Sequence, residues 1–260
     1  MSWKLPDERV SQFRGPSSYT VENGGFELPW RLANLLHALP RRARVLDVGA
    51  DHGLMALAAL RCGVASEVLA IDRREGPLEG AAARSYLRSD DAYRFVLSDG
   101  LKDVKTVHDD LVIVAGMSGE NAATILHDAL LTPTFPLVWA FQVNDGHDVL
   151  RRTLFDAGFC ALSEWFVAEP KRFFLNQVWT FRSLPQSALE RDCVLGPLSM
   201  SGFSPLMKVW IELERRRLAR DLDGLKRARD FSPNDARVRA IVRRDRLLAG
   251  QALEIPAQTE

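Results

Sequence analysis

This chain of 260 residues predicts an α/β fold: a mostly parallel sheet followed by a separate helical tail. Three observations carry that reading. Short apolar runs alternate with helical patterns from about Leu28 to Arg182, which is the order of successive βα units. One run, Val45-Leu46-Asp47-Val48, breaks into Gly49-Ala50-Asp51-His52-Gly53 and then enters a helical pattern, as a strand, a tight turn and a helix N-terminus would. Beyond Pro205 the apolar residues recur at three- and four-residue steps over two long stretches, the mark of helices that bury one face.

The elements follow in order. A first amphipathic helix is predicted over Pro29–Ala38, with Leu32, Leu35 and Leu36 on one face. Strand one is Arg44–Val48 and its helix Leu54–Cys62; strand two is Glu67–Asp72, and its helix Gly76–Leu87 opens with Pro77, which suits a first turn. Strand three is Tyr93–Leu97. Strand four is Leu111–Val114, followed by Ala115-Gly116-Met117-Ser118-Gly119 and a helix over Glu120–Leu130. Strand five is Leu137–Gln142, with a helix over Asp148–Ala157. Ala161–Ala168 and Phe173–Arg182, split by Glu169-Pro170-Lys171, form an antiparallel hairpin. Seven strands with the last reversed predict a Rossmann-like class I methyltransferase fold, with a C-terminal helical hairpin. Residues 183–203 read as an irregular linker. A long helix spans Pro205–Asp230, its stripe built on Leu206, Val209, Trp210, Leu213, Leu218, Leu222 and Leu225. Ser232-Pro233-Asn234-Asp235 restarts a helix, with Ser232 as cap, carrying Val238, Ile241, Val242, Leu247 and Leu248. The expected domains are therefore an extension (1–25), a methyltransferase domain (26–182), the linker, and an antiparallel, coiled-coil-like hairpin (204–260).

Composition narrows the class. No apolar run approaches the roughly 20 residues of a membrane span, and the polar first 25 residues lack the apolar core of a signal peptide. Cys62, Cys160 and Cys193 are odd in number and far apart, which predicts a reducing cytoplasm, packing roles and no metal. Residues 1–200 carry 21 Lys+Arg against 25 Asp+Glu, whereas residues 201–260 carry 13 against 9. A basic tail on an otherwise neutral chain points to a polyanionic partner or to a solvated helix face.

Ligands of open α/β sheets sit beyond the carboxyl ends of the strands. The turns after strands one to five hold Asp47, Asp51, His52, Asp72, Asp99, Gly116, Met117 and Asn144. The glycine spacing is not G-x-G-x-x-G, and the acids in the first turn would repel a pyrophosphate. They suit a ligand with an ammonium and a sulfonium, such as S-adenosylmethionine. Asp72, about 20 residues past the glycine turn, is placed to accept two ribose hydroxyls, and Asp99 to take the exocyclic amine of adenine. Gly49, His52, Gly53 and Gly100 complete the expected cofactor set. Taken singly, each acid could be a surface or capping residue, and His52 a structural histidine. Ser118 and Gly119 read equally well as a tight turn into a helix. No Gly-x-Ser-x-Gly elbow or phosphate-binding Walker loop is present.

These residues resemble the TrmK-type bacterial tRNA (adenine(22)-N(1))-methyltransferases. The matching pieces run through most of the chain: Arg31-Leu32-Ala33, Asp47 to Gly53, Gly76 to Ala81, Ser98-Asp99-Gly100-Leu101, Ala115 to Gly119, Leu150-Arg151, Ala157-Gly158-Phe159, Glu164, Glu169, Phe173-Phe174, and Leu195-Gly196-Pro197-Leu198 with Pro205-Leu206. The chain departs from the family at Ser118, usually Gly, at Val143 within a usual Gln-Pro-Asn, and at Asp72, commonly Glu. The Ser118 and Val143 changes fall on the presumed substrate side. The resemblance implies methyl transfer from S-adenosylmethionine to N1 of an adenine in tRNA. Asp51 and Asn144 would orient the base, backbone at Gly116 and Met117 would shape its pocket, and the basic hairpin would hold RNA phosphates. Two rivals remain open from the residues alone. One is a methyltransferase for another nucleotide, a small molecule or a protein; the other is a non-catalytic RNA-binding protein on the same fold.

Overall fold

A computed structural model of the chain describes residues 18–21, 25–75, 92–169, 172–183, 189–196, 205–228 and 231–253. The chain divides into two compact units at 188/189. In the first unit, β1 (Ser18–Thr20) pairs antiparallel with β2 (Glu27–Pro29), which runs directly into α1 (Trp30–His37). Val21, Phe26 and Leu28 are buried in the main core, so the part of the expected extension that is described here packs with the sheet domain. Strands of three residues are too short to leave a period in sequence.

Seven strands form the main sheet: β3 (Arg42–Val48), β4 (Ala65–Asp72), β5 (Tyr93–Leu97), β6 (Leu111–Met117), β7 (Val138–Val143), β8 (Phe159–Glu169) and β9 (Arg172–Phe181). Their order is β5-β4-β3-β6-β7-β9-β8. All neighbours from β5 to β7 are parallel, and β9 alone is reversed, antiparallel to both β7 and β8. The order changes direction between β3 and β6, which makes the crevice beyond their carboxyl ends the switch point. Val45, Leu46, Val68, Ile71 and Leu111 to Val114 are buried because helices cover both faces of a parallel sheet. The helices of this unit after α1 are α2 (Leu54–Arg61), α3 (Gly119–Leu130) and α4 (His147–Asp156). The helix expected over Gly76–Leu87 lies outside the described residues.

One boundary differs for a physical reason. The sequence predicts that strand four stops at Val114, but β6 continues to Met117 through an irregularity between Ala115 and Met117. Gly116 is the extra residue, at φ 80°. A glycine bulge lets a strand bend at its end without losing its pairing.

The second unit holds α5 (Glu190–Leu195), α6 (Pro205–Lys226) and α7 (Ala236–Leu253). The linker expected over 183–203 thus contains a helix: Cys193, Val194 and Leu195 are buried, and Gly196 at φ 93° ends it. The buried line of α6 is Met207, Ile211, Glu214 and Leu218, displaced from the leucine stripe read in sequence. Glu214 belongs to it because Arg217 and Arg244 neutralise its carboxylate. Glu214–Arg244 and Arg215–Asp245 join α6 to α7. From the turn, both pairs lie roughly 15 Å along each helix at 1.5 Å per residue, so the two helices run antiparallel. α7 begins at Ala236 rather than at the expected Ser232 cap. Asp235 takes the Arg237 backbone N–H at 2.8 Å and acts as the cap.

Candidate active site

A cavity of about 820 Å³ opens beyond the carboxyl ends of β3, β4, β5 and β6. Nine of the eleven residues singled out in sequence line it: Asp47, Gly49, Asp51, His52, Asp72, Asp99, Gly100, Gly116 and Met117. Gly53 and Asn144 are not part of its lining. Gly53 starts α2 at φ 69°, and its carbonyl accepts the Tyr93 hydroxyl at 2.8 Å. Asn144 donates from Nδ2 to the Gly116 carbonyl at 2.8 Å and from its backbone N–H to the Met117 carbonyl at 2.9 Å. It holds the turn that lines the cavity rather than facing the cavity itself.

The glycine turn is hung from β4. Gly49 and Ala50 donate to the Ile71 carbonyl at 2.8 and 2.9 Å, and Asp51 donates to Asp72 Oδ2 at 3.1 Å. Gly49 has φ 76°, and a Cβ there would lie 2.7 Å from the Met117 methyl, so glycine lets the ends of β3 and β6 close on each other. Asp51 adopts φ 49°, a left-handed conformation that aspartate tolerates better than most residues. Its carboxylate lies 3.5 Å from Arg74 and 3.6 Å from His52.

The two buried carboxylates differ in kind. Asp47 is 3% exposed, and its Oδ2 accepts the Ala56 N–H in the first turn of α2 at 3.0 Å. Burial dominates and pushes its carboxyl up to about 7; the Ala56 N–H opposes this and the nearby Asp72 charge adds to it. Burial would also raise Asp72, but there the Arg74 backbone N–H, the Arg74 guanidinium and the Asp51 N–H together outweigh it and hold the group below its ordinary value. Asp99 is exposed at the rim, 2.5 Å from Lys102 Nζ, and Lys102 holds its carboxyl below the usual range. Ser98 Oγ accepts the Asp103 N–H at 3.2 Å and shapes the turn behind it.

Sequence reading missed several lining residues. Arg74 bridges Asp51 and Asp72. Arg31 enters from the first turn of α1, while Asn121, Thr124 and Ile125 enter from α3. Arg31 stands in the Arg31-Leu32-Ala33 piece of the resemblance, which gives it no role, and no local pattern marks the others. Ser118 and Val143 have structural contacts: Ser118 caps α3 by accepting the Asn121 N–H at 3.2 Å, and Val143 is 1% exposed, paired with Leu175. Gly119 is required by close approach, since a Cβ would sit 2.1 Å from the Gly146 carbonyl oxygen. Glu164 forms a fully buried pair with Arg151 at 2.5 Å, away from the cavity lining.

Carboxylates at three neighbouring strand ends, with Met117 and Ile125 in the same lining, suit a ligand with a cationic centre, vicinal hydroxyls and an amine-bearing base. Among the described residues, no group of three or more His, Cys, Asp or Glu could hold a metal ion, and no helix is long and apolar enough to cross a membrane.

Comparison with known proteins agrees with this geometry. No curated protein matches the sequence. An uncharacterized protein from Listeria monocytogenes superposes with TM-score 0.76 at 20% identity, covering 86% of this chain and 98% of its own. TrmK of M. capricolum, solved with S-adenosylhomocysteine, gives 0.72 at 17% identity over 86% and 97%. The B. subtilis m1A22 tRNA methyltransferase TrmK gives 0.70 at 21% identity over 86% and 97%. At these identities the likeness is one of fold, and it extends over nearly the whole of each relative. The family profile described as a methyltransferase domain matches residues 28–175. That span takes in every strand end that lines the cavity, and the chain belongs to this methyltransferase-domain family.

Proposed function

We propose that this protein transfers a methyl group from S-adenosylmethionine to ring nitrogen N1 of an adenine in tRNA. The observation that carries the reading is the ordered set Asp47–Gly49, Asp72, Asp99 and Gly116–Met117 around one cavity at the switch point of a methyltransferase domain. The solved TrmK proteins, matched over 97% of their own chains, support the choice of tRNA.

The donor set fits the cofactor. Asp72 and Asp99 stand at neighbouring strand ends, in the order ribose and base would need, and Asp47 and Asp51 offer negative charge on the sulfonium side. S-adenosylmethionine supplies an activated methyl group on that sulfonium. The chain's part is positioning and charge. The adenine ring nitrogen carries its own lone pair, so it needs alignment more than a strong base. Positive charge develops on the ring, and Asp51 together with the Gly116 carbonyl would stabilise it. Asn144 keeps that carbonyl in place through its 2.8 Å bond. The Watson–Crick edge must be exposed, so the base is extruded from the tRNA into the cavity. The helical unit would contact phosphates, and a tRNA substrate fits a cytoplasmic protein.

Incubation with tRNA and cofactor, followed by mass spectrometry of the nucleosides, tests the reading. N1-methyladenosine at one position is expected. Methylation of another nucleoside would redirect it, and cofactor binding without tRNA methylation would refute it.

A further inference from the structure

Arg31 lies in the first turn of α1 and lines the cavity beside Leu28, Pro29 and Leu32. Its side chain is fixed from three directions. Nε donates to Gln142 Oε1 of β7 at 3.1 Å. Nη1 reaches both Glu169 oxygens at the end of β8, at 3.4 and 3.5 Å. The guanidinium carbon lies 4.8 Å over the Phe174 ring of β9. The backbone is held as well: the Arg31 N–H donates to Glu169 at 3.0 Å, and its carbonyl accepts from Asn176 Nδ2 at 2.9 Å. Gln142 and Asn176 are fully buried. A guanidinium presents five donors in a rigid fork. These bonds occupy the Nε and Nη1 edges, and Nη2 meets no acceptor among the described residues.

Its place in the sheet sets it apart from the other charged groups. Asp47, Asp51, Asp72 and Asp99 all stand at the ends of β3, β4 and β5, and so do His52, Arg73 and Arg74. Arg74 is engaged by Asp72 and Asp51. β7, which holds Arg31 through Gln142, is three strands from β4, or about 14 Å at 4.8 Å per step. Arg31 is therefore a cation at the wall of the cavity away from the acids and from Arg73 and Arg74, and a buried scaffold fixes it before any ligand arrives.

We propose that Arg31 is the oxyanion anchor of this cavity, and that Glu169, Gln142 and Phe174 are positioning residues that aim it. The inference rests on the methyl-transfer reading. Two reactants of that reaction bring a suitable group: the α-carboxylate of S-adenosylmethionine, or a phosphate beside the target adenosine. In either case the N–H groups of Nη2, the nitrogen that Gln142 and Glu169 leave without an acceptor, donate to the anion's oxygens.

The test is calorimetric binding of S-adenosylmethionine and of its decarboxylated analogue to the parent and to Arg31→Ala, joined with steady-state kinetics on tRNA. A tenfold or larger loss of S-adenosylmethionine affinity, with the analogue binding parent and variant alike, supports the anchor and assigns it to the carboxylate. Unchanged cofactor affinity, with a tenfold rise in KM for tRNA and little change in kcat, supports it and assigns it to a phosphate. In that arm, an RNA stem-loop bearing a methylphosphonate at the adjoining linkage should erase the difference between parent and variant. Glu169→Gln, which keeps an acceptor for the Arg31 N–H, should retain most of the affinity lost in Glu169→Ala. Equal losses for both cofactor forms would mark Arg31 as scaffold only, and no loss for any ligand would mark it as a bystander; either overturns the proposal. If Arg31→Ala does not fold, Arg31→Lys carries the same comparison, because lysine keeps the charge but lacks the fork. A parent that fails to bind S-adenosylmethionine at all would instead remove the underlying methyl-transfer reading.

Discussion

Replacing Asp47 with asparagine should make the protein more stable above neutral pH while weakening its hold on a cationic ligand. Asp47 is buried at the end of β3, and burial raises its carboxyl from an ordinary 3.8 to about 7. Between those two values the folded state holds a proton that the unfolded state has lost. Stability therefore falls as pH rises through this window, by about 1.4 kcal/mol per pH unit. From pH 5 to pH 8 only the stretch below about 7 counts, about two pH units, so the parent should lose about 3 kcal/mol from this group. The asparagine of Asp47→Asn cannot ionise, and its side-chain oxygen can still accept the Ala56 N–H that Asp47 accepts at 3.0 Å. Urea unfolding of both proteins at half-unit steps from pH 5 to pH 8.5 isolates the effect, because every other titrating group cancels in the difference. The expected difference grows with pH by close to one proton and levels off above about 7. Parallel curves would refute the argument that burial governs this carboxyl.

The same group makes a second, independent readout. A positive ligand charge beside Asp47 favours its ionised form. Binding of S-adenosylmethionine at pH 6 should then release up to one proton, seen as a binding heat that varies with the ionisation enthalpy of the buffer. Asp47→Asn should abolish that variation.

Other outcomes follow from single contacts. Asp72→Asn should lower S-adenosylmethionine affinity tenfold or more in a titration, since an amide replaces a carboxylate that accepts from Asp51 and Arg74 and would accept ribose hydroxyls. Gly119→Ala places a methyl 2.1 Å from the Gly146 carbonyl oxygen; the cost should be about 1–3 kcal/mol in chemical denaturation, with reduced methylation because the Gly116–Met117 turn shifts. In the helical unit, charge reversal at Lys226, Arg227, Arg239 and Arg246, which form no ion pair among the described residues, should weaken tRNA binding and flatten its salt dependence in a gel-shift series. Cofactor affinity should stay unchanged, and tRNA binding equal to the parent would remove the RNA role of these residues.

How legible the molecule is in its sequence depends on the range of the interactions involved. The apolar pattern predicts Tyr93–Leu97 for β5, and the strand stands there; β3, β4, β7, β8 and β9 differ at their ends by a few residues. A strand buried on both faces is an unbroken apolar run between turn residues, and that pattern is local. The glycine turn is legible for the same reason: Gly49 and Gly116 need positive φ, and the acids around them follow strand ends. α5 lacks such a pattern, having six residues with its apolar ones bunched together at one end. Arg31 is the clearest failure. In sequence it stands in a short piece that resembles the TrmK-type family, but as one charged residue in the first turn of an amphipathic helix it shows no role. Its partners lie 111 to 145 residues away, and no window of sequence contains them.

The helical tail shows the same limit from the side of charge. A count of residues says that 201–260 is basic, and a count treats every arginine as available to a polyanion. Folding changes that. Arg215 meets Asp245, Arg216 meets Glu212, Arg217 and Arg244 meet Glu214, and Arg243 meets Glu190. Of Arg215, Arg216, Arg217, Lys226, Arg227, Arg229, Arg243 and Arg244, eight basic residues of this tail, five are therefore already committed to acids within their own unit, and Arg229 lies outside the described residues. A phosphate would have to compete with a carboxylate for each of these five, and exchanging one anion for another gains little. Net charge survives folding, but the surface open to a polyanion is set by which cations the helices leave unpaired. That moves the expected contact from the middle of the hairpin toward its turn, at Lys226, Arg227 and Arg239, and to Arg246 on α7.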